Sequence, residues 1–194
     1  MKKILMLAML VVGVALVALL YHGGGQKNAP PAGSTDVSTA DIQAYRKAAE
    51  AGDALAQFEL GLAYDKGAGV PQDYAEAAKW YRKSADLGKV HAQLALGTLC
   101  QQGQGVPQDY AAAGMWFRRA ADKGSADAQY LLGLMIFHGQ GVSQDYTEAA
   151  QWFRKAAERG HSRAMLELGK CYADGHGVPQ NAAESAKWLR MAGE

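Results

Sequence analysis

Trp80, Trp116, Trp152 and Trp188 stand 36 residues apart along the chain. Gly61, Gly97, Gly133 and Gly169 keep the same step, and so do the pairs Gly67/Gly69, Gly103/Gly105, Gly139/Gly141 and Gly175/Gly177. No insertion breaks the register. A fixed period of roughly 20–50 residues marks a stacked repeat, in which one unit cannot bury its own apolar face and acquires a core only from its neighbours. This period restricts the chain to a fold whose contacts run between sequence neighbours.

The unit 54–89 reads as two helices. The first spans Ala54 to Lys66, with Ala56, Leu60, Gly61, Ala63 and Tyr64 on a helical stripe rather than a strand alternation. Gly67 and Gly69 end it, because glycine reaches the left-handed conformation without a Cβ clash. Pro71 then cannot continue it. The second helix opens at Asp73, with Glu76 three residues on, in the spacing of a capping box. Asp145/Glu148 and Asn181/Glu184 repeat that pair, whereas Asp109 is followed by Ala112 and keeps half of it. Tyr74, Ala77, Ala78, Tyr81 and Ala85 form the second stripe. Gly61 and its counterparts sit mid-helix, where glycine costs about 1 kcal/mol relative to alanine. Close approach of a neighbouring helix is the expected compensation.

The recurring pattern A-x-x-x-L-G-x-x-Y-x-x-G-x-G-V-P-x-D-Y-x-x-A-x-x-W-Y-x-K-A-A-x-x-G resembles the Sel1-like repeat family, relatives of the tetratricopeptide repeats, over about Asp41 to Met191. The resemblance implies an all-α fold, a right-handed α-solenoid of helix-turn-helix repeats, used mainly as a scaffold for protein–protein contacts. Four 36-residue units are expected, at about 54–89, 90–125, 126–161 and 162–194. An N-terminal half repeat precedes them: Tyr45 and Gly52 fall one period before Tyr81 and Gly88, so the segment is a lone second helix that caps the stack. Nine helices follow from that count. The final helix, Asn181 to about Ala192, carries Trp188, Leu189 and Met191 without a polar cap. Terminal repeats normally present a polar outer face, so this helix is exposed or meets another chain, and self-association through it is one expectation.

The N-terminus is a different object. After Met1-Lys2-Lys3 comes Ile4 to Leu20, 17 residues without a charge. Residues 1–22 read as a secretory signal peptide or an N-terminal membrane anchor, with the basic end cytoplasmic and the rest sent outward. Gly23-x-Gly25 is a poor cleavage site, which favours an uncleaved anchor. Residues 23–38, rich in glycine, proline and small polar types, read as a flexible linker to a repeat domain at 39–194. The expected location is the cell envelope, anchored in the inner membrane with the repeats on the extracytoplasmic side, or in the periplasm if the segment is cleaved. The formal charge of +1, from 20 Lys and Arg against 19 Asp and Glu, argues against nucleic acid as a partner.

No catalytic constellation stands out. Cys100 and Cys171 lie two repeats apart, near ~20 Å at a helix spacing of about 8–10 Å, beyond the reach of a disulfide. They are expected as free, buried thiols. The cysteine-rich exported branch of the family, with which penicillin binding and weak β-lactamase activity are associated, staples each repeat with a cysteine pair; this chain lacks those pairs. A β-lactamase-like or peptidoglycan-fragment-binding protein is therefore the alternative reading. No serine has lysine three residues on. No two of His22, His91, His138, His161 and His176 have the i, i+4 spacing of a helical zinc pair. No P-loop lysine follows the loop glycines. The chain reads as a non-enzyme without cofactor or metal. The basic ridge Arg82/Lys83, Arg118/Arg119, Arg154/Lys155 and Arg190 is expected to favour the helix C-termini.

The informative slots are those in which the four units differ. On one face of the first helices these are Leu55, Glu59, Leu62 and Lys66; His91, Ala95, Thr98 and Gln102; Asp127, Leu131, Leu134 and His138; and Arg163, Glu167, Lys170 and Asp174. In related solenoids the first helices line the concave surface. Leu62, Leu131 and Leu134 would place apolar patches in a polar groove that holds a partner protein or peptide.

Overall fold

The computed structural model describes residues 37–193. The expected anchor at 1–22 and most of the linker lie outside them. Among the described residues there are nine α-helices and no strand: α1 (Thr39–Glu50), α2 (Ala54–Lys66), α3 (Tyr74–Asp86), α4 (Val90–Gln102), α5 (Tyr110–Asp122), α6 (Ala126–His138), α7 (Tyr146–Glu158), α8 (Ser162–Asp174) and α9 (Ala182–Gly193). Substantial packing runs between consecutive helices, which is the signature of a solenoid. The described residues begin at the last two positions of the linker expected from composition, 37 and 38. Ser38 is already the N-cap of α1, and Val37 packs beside the cluster of Ile42, Ala49, Ala56, Leu60 and Ala63 beneath that helix.

The anchor glycines explain the spacing of the two helices in each unit. A Cβ at Gly61 would stand 2.6 Å from the Tyr81 ring. At Gly97 it would meet Phe117 at 2.6 Å, and at Gly133 it would meet Phe153 at 2.7 Å. In the first three units the ring one residue after the tryptophan therefore packs against a bare backbone of the same unit. The second loop glycine does a different job. Gly105 has φ +68, and a Cβ there would overlap the Tyr74 backbone at the start of the preceding second helix. Gly141 and Gly177 meet Tyr110 and Tyr146 in the same way. One glycine sets the packing within a unit, and the other sets the packing between units.

Two glutamine columns complete the frame. Gln57, Gln93 and Gln129 are buried and donate from Nε2 to the carbonyls of Ala49, Ala85 and Ala121, each 3.1 Å away at the end of the preceding second helix. Gln72, Gln108, Gln144 and Gln180 donate across the loop to carbonyls at the end of their own first helix, at 2.7–2.9 Å.

The capping boxes expected from Asp73/Glu76, Asp145/Glu148 and Asn181/Glu184 form by half. Asp73 and Asp145 accept from the backbone N–H groups of the first turn, and Asn181 does the same from Ala183 and Glu184. The glutamates turn to stronger, charged partners. Glu76 pairs with Lys79, Glu184 with Lys187, and Glu148 accepts from both Arg118 and the Trp152 indole. The full reciprocal box occurs at Ser38/Asp41, where the Asp41 carboxylate accepts from the Ser38 backbone N–H and hydroxyl.

Candidate partner-binding face

The divergent slots occupy the first helices α2, α4, α6 and α8, and the structure divides them into two groups. Leu62 and Ala95 are each 7% exposed and belong to the core. Leu62 joins a cluster with Phe58, Tyr81 and Leu94, so the apolar groove patch expected from it is corrected to a core position. The remaining slots reach solvent. Leu55, Lys66, His91, His138, Arg163, Lys170 and Asp174 are exposed, and Glu59, Thr98, Gln102, Asp127, Leu131, Leu134 and Glu167 are half-buried.

The apolar part of this face is concentrated on α6. Leu131 and Leu134 are accompanied there by Tyr130 and Phe137, which are also half-buried and packed against the core. Tyr130 is not alone: the His161 ring stacks on it at 4.6 Å. His161 opens α8, where its Nδ1 accepts from the Ala164 N–H at 3.1 Å. That bond requires the proton on Nε2, which points at Asp127 Oδ1, 3.4 Å away. Nδ1 thus caps α8 itself, and Nε2 reaches across to α6.

A second aromatic group closes the loop side. Phe137 meets His138, Tyr146 and His176 edge-on, and Tyr146 stacks on His176 at 4.8 Å. His176 is half-buried by that stack, whereas His138 is exposed. At one end of the face Lys170 pairs with Glu167. At the other end burial pushes the Glu59 carboxyl up, with Lys66 and Lys89 partly offsetting it. Although His91 reaches solvent, partial desolvation beside the Phe58 ring holds its imidazole low, Lys89 adds to this, and Asp127 opposes it.

The tryptophan column and the basic ridge answer to each other. Lys83 lies over the Trp80 ring at 4.0 Å, Arg119 over Trp116 at 4.6 Å and Lys155 over Trp152 at 3.9 Å. These cation–π contacts engage the second column of the ridge, whose residues also stand in the last turns of their helices, as expected from the sequence. The first column reaches the next unit: Arg118 pairs with Glu148, and Arg46 and Arg154 donate to the phenols of Tyr64 and Tyr172. The ridge stitches repeats together.

Nucleophilic chemistry has no support in the thiols. Cys100 and Cys171 are free and buried. Burial raises both, and burial together with Glu167 and Asp174 pushes Cys171 up to about 11, the reverse of an activated thiolate. Among the described residues no cluster of three or more His, Cys, Asp or Glu could hold a metal ion, and no helix is long and apolar enough to cross a membrane.

The Sel1 repeat signature matches residues 45–53, 54–89, 90–125, 126–161 and 162–194. The chain is similar to a Sel1 repeat protein from Oxalobacter formigenes, at 37% identity over 94% of this chain and 73% of that one, with a TM-score of 0.77. It is also similar to a protective antigen of uropathogenic Escherichia coli with an SLR fold, at 36% identity and a TM-score of 0.79. That match covers 99% of this chain but 40% of the antigen, so the chain spans less than half of that protein. Helicobacter pylori cysteine rich protein B is 21% identical over 68% of this chain and 97% of its own, with a TM-score of 0.52, a likeness of fold alone. No curated protein matches the sequence. The chain belongs to the Sel1 repeat family, whose helical repeats typically act as protein-interaction scaffolds and are generally non-catalytic.

Proposed function

We propose that this protein is a non-catalytic adaptor of the cell envelope that holds a partner protein or peptide on the concave surface of its first helices. One observation carries the reading. The slots that stack the units hold near-identical residues from repeat to repeat, while the solvent-reaching slots of α2, α4, α6 and α8 hold residues of every chemical type. Stacking does not demand Leu131 and Leu134 at the surface of α6, and a docked apolar segment supplies the missing burial. The charged residues at either end, Glu59 and Lys66 on α2 and Arg163 and Lys170 on α8, would fix its register. The envelope location rests on the uncharged run Ile4 to Leu20 behind two lysines. A protective antigen, as the similar E. coli protein is described, suits an exposed location.

The test is co-purification from cells with three variants of the full chain. Leu131→Glu and Leu134→Glu place a charge on the apolar part of the face, and Met115→Glu places one at a position that is 62% exposed on α5. The adaptor reading expects one discrete companion with the wild type and Met115→Glu, reduced at least tenfold with both groove variants while their thermal unfolding stays cooperative. Equal recovery with all four proteins contradicts it.

A further inference from the structure

Arg46, Arg82, Arg118 and Arg154 stand one period apart, each on a second helix at its junction with the repeat that follows. Three of them have a partner there. Arg46 and Arg154 donate to the phenols of Tyr64 and Tyr172. Arg118 donates to Glu148 Oε1 at 2.8 Å, and the Trp152 indole donates to the same oxygen at 3.1 Å. One carboxylate, held by two donors, thus ties α5 to α7. Although burial works against it, the bonds from Arg118 and Trp152 hold the Glu148 carboxyl below its usual value. The slot favours the ionised form.

At the junction of α3 and α5 both donors recur, as Arg82 and Trp116, and neither acceptor does. The phenol slot is Cys100 and the carboxylate slot is Ala112. Among the described residues the exposed Arg82 has no ion pair or hydrogen bond, and no acceptor meets the Trp116 Nε1. That nitrogen is not sealed from solvent, in contrast to the Nε1 of Trp188. The rest of the frame matches the next junction. Asp109 caps α5 by accepting from the Ala112 N–H at 2.9 Å, as Asp145 caps α7 by accepting from the Glu148 N–H at 2.9 Å. Trp116 and Trp152 are each 7% exposed, and each carries a cation over its ring, Arg119 and Lys155. One turn on, Met115 and Gln151 are uncharged, whereas Lys79 and Lys187 draw Glu76 and Glu184 aside.

We propose that Arg82 and Trp116 bind a carboxylate from outside the chain, seated over Ala112 where the Glu148 carboxylate sits in the next repeat. Glutamate exceeds alanine by one methylene and one carboxylate, the heavy atoms of acetate. A monocarboxylate of that size therefore completes the junction, as a small organic acid or as the tip of an acidic side chain on a peptide. The guanidinium fork suits a planar carboxylate, and the indole N–H directs a second bond to it. Because Arg82 is exposed, the affinity is low. The site is on the second helices, away from the slots of the first-helix face.

The test follows the indole N–H resonances of the full chain, isotopically labelled at its 4 tryptophans, as sodium acetate replaces sodium chloride at constant ionic strength. Trp116→Phe identifies the signal. The Trp116 resonance is expected to move saturably in the direction of a hydrogen-bonded N–H, and the Trp152 resonance to stay in place, because Glu148 already accepts from it. Arg82→Gln weakens the response several-fold. Ala112→Glu supplies the carboxylate from within, so the resonance is displaced without acetate and no longer responds to it. A glutamate capped at both ends separates the two sources. Tighter saturation than with acetate assigns the site to an acidic side chain, and equal or weaker saturation assigns it to a small acid. No saturable movement of the Trp116 resonance, the same movement in chloride, or a full response in Arg82→Gln overturns the proposal. The groove reading stands or falls separately, because neither Leu131 nor Leu134 takes part.

Discussion

The third and fourth repeats fill the same slots differently. In the third, Gly133 receives the Phe153 ring, Gln129 bonds the carbonyl of Ala121, and Lys155 lies over Trp152. In the fourth, the corresponding residues are Gly169 with Leu189, Met165, and Met191 after Trp188. The third repeat is flanked on both sides, and its slots hold large rings and directed hydrogen bonds. The second helix of the fourth is covered on one side, and its slots at Leu189 and Met191 hold smaller and less directional groups; Met165 lies on α8, which is flanked on both sides, and coverage does not account for it. A side chain in a stacked repeat is specified by what covers it as much as by its own helix.

That difference can be tested by making equal changes in both settings. Among the largest effects expected are those at the glycines that separate units. Gly105→Ala forces a Cβ into the Tyr74 backbone and strains a left-handed residue, at a cost of about 3–4 kcal/mol in urea unfolding. Gly52→Ala shares the positive φ but meets open space, and should cost about 1 kcal/mol. Next come the packed side chains. Phe117→Ala, fully buried, should cost about 3–5 kcal/mol, and Leu189→Ala, 40% exposed, about 1 kcal/mol. The anchor glycines give a smaller contrast. Gly97→Ala gains about 1 kcal/mol of helix propensity but presses on Phe117, for a net loss of about 1 kcal/mol. Gly169→Ala presses on Leu189, which can move toward solvent, and should be near neutral. Equal losses at Gly97 and Gly169 would show that coverage by the next unit does not matter.

The smallest effect concerns Tyr45 of α1, one period before Tyr81. Burial, with Glu59 and Asp41, pushes its phenol up from 10.0 to about 12. The folded chain keeps that proton longer than the unfolded one. Its contribution to stability is therefore whole below pH 10 and is lost as pH rises from about 10 to about 12. Tyr45→Phe should flatten the fall in melting temperature over that window and leave the acid side unchanged.

The repeat register made most of the fold readable before any coordinates. The bounds of α2, Ala54–Lys66, and the stop at Gly67 follow from apolar spacing and glycine alone. The two glutamine columns were equally visible as identical letters one period apart, but nothing in a column of letters says which carbonyl an amide will find. The glutamates of the expected capping boxes show the same limit. Glu148 has the right spacing for the helix start, yet its partners Arg118 and Trp152 come from the stacking of units and from the next turn. The face was read least completely. Steps of three and four place Leu62 and Leu134 in one row, but burial depends on the neighbours: Phe58 and Leu94 cover Leu62, while Leu134 reaches solvent. The stacking of His161 on Tyr130 ties α6 to the N-cap of α8, and a contact between helices that far apart in sequence has no local signature.

The most direct test of the adaptor reading is photocrosslinking in living cells, with the probe at Leu131 or Leu134 on α6 and a control probe at Met115 on α5. The account predicts one discrete protein adduct, shared by the two α6 positions and missing from the control. No adduct at either α6 position, or the same adduct from Met115, would contradict a partner held on the first helices.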